Sequence, residues 1–226
     1  MSPRRTNYAA VPTFSRPGRE AVVYDLSVPG QATITLPVGS AWSSGPHWHE
    51  SHTEFLQVLS GAAEVTLAGT VLPAVTAQDG VVTVPRGAVH EWRRSSQRTA
   101  GDEEELVVRE WTDPRDGDKE VFFRNLNGMI LDFVKSRREI TGESGGGKKK
   151  VSWFELYGGE WMLENELRCL FWKCDNWPVL LRQDSWWPDW AQWVVTKTVL
   201  GASLVVGKCV GRGGVYSEYS HLSEQK

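Results

Sequence analysis

The chain is poor in several things that would each declare a class of protein. It has 3 cysteines in 226 residues, Cys169, Cys174 and Cys209, all late in the chain. Their odd number and irregular spacing match no zinc motif and no disulfide framework, so they read as reduced thiols packed as small apolar groups. Basic charge is not in excess: the formal net charge is −3. That argues against nucleic acid as a partner, and the lysine run at 148–150 has no aromatic residues interleaved with it. The first twenty residues hold no apolar core of the kind a secretory signal needs, so a cytoplasmic location is expected. No glycine pattern of the dinucleotide-binding or phosphate-loop kind stands between a strand and a helix, and no GxSxG elbow occurs. A nucleotide cofactor is therefore not expected. Nor is there an uninterrupted apolar run of the about 20 residues that a spanning helix needs.

What is present is concentrated in two places. The first is Pro46–Gly61, PHWHESHTEFLQVLSG. His47 and His49 are two apart, and on a strand such residues share a face. Glu54 follows, in an alternating apolar run. About thirty residues on, DGVVTVPRGAVHEW supplies His90. Three neutral imidazoles and a carboxylate suit a divalent first-row transition metal (Fe, Mn, Cu, Ni or Zn) and leave coordination positions open. Histidines kept only for packing are the plain alternative. The same alternation turns Leu56 inward with Glu54, and Trp92 and Arg94 inward with His90. Leu56, Trp92 and Arg94 are thus candidates to bind a substrate, with Arg94 equally suited to an acidic partner at a rim. His52 is a candidate base or an orienting partner for a ligand histidine, or simply a loop residue facing solvent.

The second concentration is tryptophan, most of the twelve lying after position 150. Before it, short alternating runs at 21–26, 32–38, 54–59, 63–68, 71–75, 81–84, 88–94 and 105–111, punctuated by Gly and Pro, predict an all-β barrel or jelly roll. The charged turn 112–120 closes it. The period then changes: Phe122, Leu126, Met129, Ile130 and Phe133 predict a helix over 121–134. Residues 142–150 read as a flexible Gly/Lys loop. An apolar, aromatic stretch over 151–181 has roughly helical spacing, broken at Gly158-Gly159 and Pro178. A last helix, over about 186–207, has Asp184 or Ser185 as N-cap. Lys197 near its middle would cost roughly 2.5–3.5 kcal/mol in a bilayer. This helix is open to three readings: a core helix, an interfacial helix making peripheral membrane contact, or a span. The domain plan is an irregular arm at 1–19, a barrel at 20–118 and a Trp-rich helical extension at 119–226.

The spacing of His47, His49, Glu54 and Gly61, and then of Pro85, Gly87 and His90, resembles the two signature motifs of the cupin superfamily. Ala41 and Asp79 stand where those motifs carry glycine, and Arg94 where the second carries asparagine. The resemblance implies a mainly β fold: a single cupin β-barrel (double-stranded β-helix or jelly roll) with a C-terminal α-helical extension. It also implies a metal held by His47, His49, Glu54 and His90, and pairing into a homodimer. The layout of barrel, FFRNLNGMILDF, Trp-rich helices and a terminal YSEYS is similar to cupin-domain oxidoreductases of fungal polyketide gene clusters with salicylaldehyde-type products. That likeness implies a metal-dependent oxidoreductase for a small aromatic or polyketide-derived substrate in secondary metabolism. Two other functions remain open at this point. One is a non-redox cyclase, dehydratase or isomerase with the metal as Lewis acid and Glu54 or His52 as catalytic base. The other is an accessory cupin that binds a ligand or a membrane.

Overall fold

The computed structural model describes residues 5–97, 104–141, 153–181 and 187–221, with the side chains of 153–157 and 189 left aside. The Gly/Lys loop expected at 142–150 and the N-cap expected at Asp184 or Ser185 lie outside the described residues.

Eleven strands, three α-helices and one short 3-10 helix (Ala77–Asp79) are found among the described residues. The strands are β1 (Thr13–Arg16), β2 (Val22–Asp25), β3 (Gln31–Leu36), β4 (His47–Trp48), β5 (Thr53–Ser60), β6 (Ala63–Leu67), β7 (Thr70–Val75), β8 (Val81–Val84), β9 (His90–Arg94), β10 (Leu106–Asp113) and β11 (Trp177–Pro178). They form two antiparallel sheets, ordered β1-β2-β3-β10-β5-β8 and β11-β4-β9-β6-β7. Period 2 decides what faces inward. Ala32, Ile34 and Leu36 on β3, Leu56 and Val58 on β5, and Leu106 and Val108 on β10 are all buried, as alternation on a half-buried sheet requires. Trp92 on β9 closes the core from the other sheet at 1 % exposure. Gly61 turns β5 into β6 at φ 72°, and a Cβ there would stand 2.9 Å from the Glu105 carbonyl oxygen. Only glycine meets both demands.

The chain divides into two compact units. The barrel unit comprises Val11–Glu120 and Cys174–Lys197; the remainder forms a helical unit. Two expectations change here. Strand β1 pairs with β2 within the stretch expected to be an irregular arm, because Phe14 finds a buried place at 2 % exposure. And β11, from the expected helical extension, pairs with β4 (Trp177 opposite Trp48) and lengthens the second sheet.

The helices are α1 (Asp118–Thr141), α2 (Trp153–Lys173) and α3 (Asp189–Val210). α1 is longer at both ends than the apolar period predicts. α2 continues through Gly158-Gly159, where a break was expected. A Cβ on Gly159 would touch the Phe133 ring at 3.4 Å, so packing against α1 makes up for the weak helix propensity of glycine. In the helical unit the FFRNLNGMILDF segment and the YSEYS tail meet. Tyr219 Oη donates to Asp132 Oδ2 at 2.7 Å. The Tyr216 amide donates to Asn125 Oδ1 at 2.8 Å, and Asn125 Nδ2 donates to Ser220 Oγ at 3.0 Å. Gly128 lies beneath the Tyr219 ring, where a Cβ would come within 2.6 Å. Residues of the expected arm complete this cluster: the Thr6 amide and hydroxyl both donate to Asp132, at 2.7 and 2.6 Å. By length and composition Trp190–Val210 is apolar enough to cross a membrane. Ala191, Thr196, Leu200 and Ser203 of α3 are buried, while Trp190 is 69 % and Val205 66 % exposed.

Candidate metal centre

His47 opens β4 and lies directly opposite His90, the first residue of β9. Opposed residues on antiparallel strands bring their side chains together, and the two rings stand 4.2 Å apart between centroids. His49 lies just past the end of β4. Glu54 is the second residue of β5 and faces inward, 2 % exposed. Ligand-capable atoms of His47, His49, Glu54 and His90 all fall within 4.8 Å of one another.

Each imidazole is oriented from behind. Nδ1 of His47 bonds the Gly45 carbonyl at 2.8 Å, Nδ1 of His49 the Asp175 carbonyl at 2.6 Å, and Nδ1 of His90 the Ala88 carbonyl at 3.2 Å. A carbonyl only accepts, so each Nδ1 carries a proton; Nε2 of His47 and His49 is left to offer a lone pair, and Nε2 of His90 offers one once its own proton, now on the bond to Glu54, is given up. His90 Nε2 stands 2.6 Å and His49 Nε2 3.4 Å from Glu54 Oε2. His49 Nε2 is buried without a hydrogen bond, a costly state for a polar atom unless something else satisfies it. The donor set therefore fits a transition metal: three imidazoles held by their other nitrogen, and one carboxylate oxygen. Burial, with help from the neighbouring His90 and His49, holds His47 well below the usual imidazole range. Burial alone would raise Glu54. The Lys119 charge, the nearby His49 and the bond from His90 outweigh it and hold the carboxyl well below the usual range.

Three contributors were not foreseen from sequence. Asp175 sits at φ 51°, a left-handed conformation that Asp tolerates better than most residues. Its carboxylate accepts from the amides of Glu50 (3.0 Å) and Ser51 (2.7 Å), from His52 Nδ1 (2.8 Å) and from Trp177 Nε1 (2.8 Å). Asp175 thereby fixes the whole bend that carries His49. Lys119, on the first turn of α1, bonds Glu54 Oε1 and, at 3.0 Å, Glu110 Oε2. Glu110 also accepts from Trp92 Nε1 at 2.5 Å. A usable signal existed for Glu110, which falls in phase with the buried Leu106 and Val108; a carboxylate on the inward face of a strand needs a partner.

The other sequence candidates are not brought into the histidine cluster. His52 is buried between two carboxylates, Asp175 and Asp116 (Nε2 to Oδ2, 3.2 Å). The Asp175 bond raises its pKa, burial opposes this, and Asp116 adds to the rise. The guanidinium of Arg94 donates to the carbonyls of Leu36 (3.0 Å) and Glu104 (2.8 Å). Trp92 and Leu56 are inner wall, both fully packed. A separate cleft of about 860 Å³ has Trp48, Val89, Trp187 and Trp193 among its walls, and none of the four clustered residues lines it.

Residues 32–100 match a family model described as the cupin domain. These residues form a cupin domain. No curated protein matches the sequence. Among solved structures, the cupin barrel is similar to a capsular polysaccharide assembling protein, CapF, of Staphylococcus aureus (18 % identity, 48 % of this chain and 31 % of that chain, TM-score 0.34). It is similar also to KdgF from a Halomonas species (19 % identity, 45 % and 89 % covered, TM-score 0.34). A third is a predicted oxalate decarboxylase of Thermotoga maritima (20 % identity, 50 % and 91 % covered, TM-score 0.33). The chain spans about a third of CapF and 60 % of a putative sugar phosphate isomerase of Acidithiobacillus ferrooxidans. These likenesses do not bear on the chemistry of this cupin.

Proposed function

We propose that the chain is a metal-dependent cupin oxidoreductase acting on a small aromatic or polyketide-derived molecule in secondary metabolism. The observation that carries the metal-dependent reading is the convergence of three Nε2 atoms, each with its Nδ1 on a backbone carbonyl, with a buried carboxylate oxygen. When bound at His47, His49, His90 and Glu54, a divalent transition metal supplies a Lewis acid and a redox centre with coordination positions left open. The residues of the chain do the rest. The carbonyls of Gly45, Asp175 and Ala88 hold the imidazoles in one tautomer. Trp92 and Leu56 form a dry wall, which strengthens every charge interaction inside. The choice of an aromatic or polyketide-derived substrate rests on the resemblance of the whole layout, barrel and Trp-rich helices together.

A non-redox reading keeps the same four residues and takes Glu54, whose carboxyl stays below its usual range because the Lys119 charge outweighs burial, as the base. The deciding experiment is metal analysis of the purified protein beside a His47→Ala/His90→Ala variant, followed by oxygen uptake with phenolic and polyene substrates. Iron, manganese or copper that vanishes in the variant, with substrate-dependent oxygen uptake, is the expected result. Turnover of the same substrates without oxygen would replace it with the non-redox reading. No metal in the wild-type protein after reconstitution would end both.

A further inference from the structure

Glu54 is shared. Its Oε2 faces His90 and His49, and its Oε1 is bonded by the ammonium of Lys119. The Lys119 side chain is 9 % exposed, and its second carboxylate, Glu110 Oε2, lies 3.0 Å away. Glu110 is itself held by Trp92 Nε1 at 2.5 Å. The row Glu110–Lys119–Glu54, steadied at one end by Trp92, is thus a fixed line of alternating charge ending on a residue of the candidate metal centre. Lysine is almost never buried unless paired, and here it is paired twice.

We propose that Lys119 is a resident counter-cation of this centre. It rests on the metal-dependent reading given above. By occupying Oε1, Lys119 leaves Glu54 able to offer one oxygen and not two. By drawing on the same negative charge, it weakens the hold of Glu54 on a divalent ion and leaves that ion more electron-poor. It also balances Glu54 and Glu110 whenever no ion is bound, so that the site keeps its shape. Two cations on one carboxylate in a low-dielectric interior repel far more strongly than in water. A merely structural ion pair would change the stability of the protein and leave the affinity of the site for metal alone.

The test uses the full chain and Co²⁺ as probe. Affinity is read by calorimetry, and ligand geometry by the visible absorption of the bound cobalt. Lys119→Met is expected to bind Co²⁺ about tenfold more tightly or better, one lost charge near the ion being worth at least that at close range. Its absorption should shift as Glu54 becomes free to use both oxygens. Lys119→Arg, which keeps the charge, should stay near wild-type affinity. If Lys119→Met does not fold, Lys119→Met/Glu110→Gln removes the uncompensated acid and is expected to move in the same direction. Wild-type binding with unchanged or weaker binding in the folded variant overturns the proposal. Absence of Co²⁺ binding by the wild-type protein overturns the metal-dependent reading itself.

Discussion

Asp132 in the helical unit and Glu54 in the barrel are both buried carboxylates, 6 % and 2 % exposed, and they are put to opposite uses. Asp132 is surrounded by neutral donors: the Thr6 amide, the Thr6 hydroxyl and the Tyr219 hydroxyl. Its bonds join an N-terminal segment, a helix and the tail, and they use it up. Glu54 is surrounded by Lys119 and two imidazoles, and beside it one buried nitrogen, His49 Nε2, has no hydrogen bond. Burial alone does not mark a functional acid. What marks it is the kind of neighbour: neutral donors build structure, whereas imidazoles and an ammonium build a place for a cation.

The comparison can be broken at either carboxylate. The largest expected effect on stability is at Asp132. Asp132→Ala strands three donors and should cost about 3 kcal/mol, since bonds to a charged group are worth roughly 1.5–3 kcal/mol each and do not add fully. Urea denaturation measures this, and metal affinity should not move. A variant as stable as wild type would mean the cluster is decorative. Next comes Asp175. Asp175→Ala releases the bend that carries His49 and should lower metal affinity about 10- to 100-fold, the usual cost of losing support behind a ligand histidine. Competition with a coloured chelator reads that ratio, and an unchanged value would show that the carbonyl bond to His49 suffices alone.

The smallest effect is one of pH, at His52 and Asp175. The His52 pKa is raised in the folded protein, chiefly by the Asp175 bond. Its contribution is full below the unfolded imidazole value and fades as pH rises through the folded one. The Asp175 carboxyl is held below its usual range because four donors, His52 first, outweigh burial. Its contribution is full above the unfolded carboxyl value and fades as pH falls through the folded one. Together they define a plateau between about pH 4 and pH 6.5, the unfolded values. The stability gap between wild type and His52→Gln should be widest on that plateau and shrink on both sides. A gap independent of pH would show that the pair is not ionic.

The barrel was more legible in the sequence than the helical half, for physical reasons. Strand period 2 is local, so β3, β5, β6, β8 and β10 could be read from alternation and turn residues. The spacing of His47, His49, Glu54 and His90 sufficed to expect them in one place, and the fold brings them together. Partners from distant sequence were invisible. Asp175 lies 126 positions from His49, and nothing in KCDNWP announces that an aspartate will brace a histidine. Lys119 sits in a charged stretch that composition assigns to solvent. Arg94 has the right parity to face inward, yet parity cannot tell that two backbone carbonyls will claim it. α2 crosses Gly158-Gly159 because packing against Phe133 overrides propensity, a tertiary effect no local window contains.

The brace on His49 has a consequence for how the protein is made. Synthesis runs from the N-terminus, and domains tend to fold as their residues emerge. His47, His49, Glu54 and His90 all leave the ribosome early, and the strands that carry them can pair at once. Asp175, Trp177 and β11 arrive more than eighty residues after His90. Until they do, the bend bearing His49 lacks the carbonyl and the carboxylate that hold it, so His49 takes its final place later than His47, Glu54 and His90.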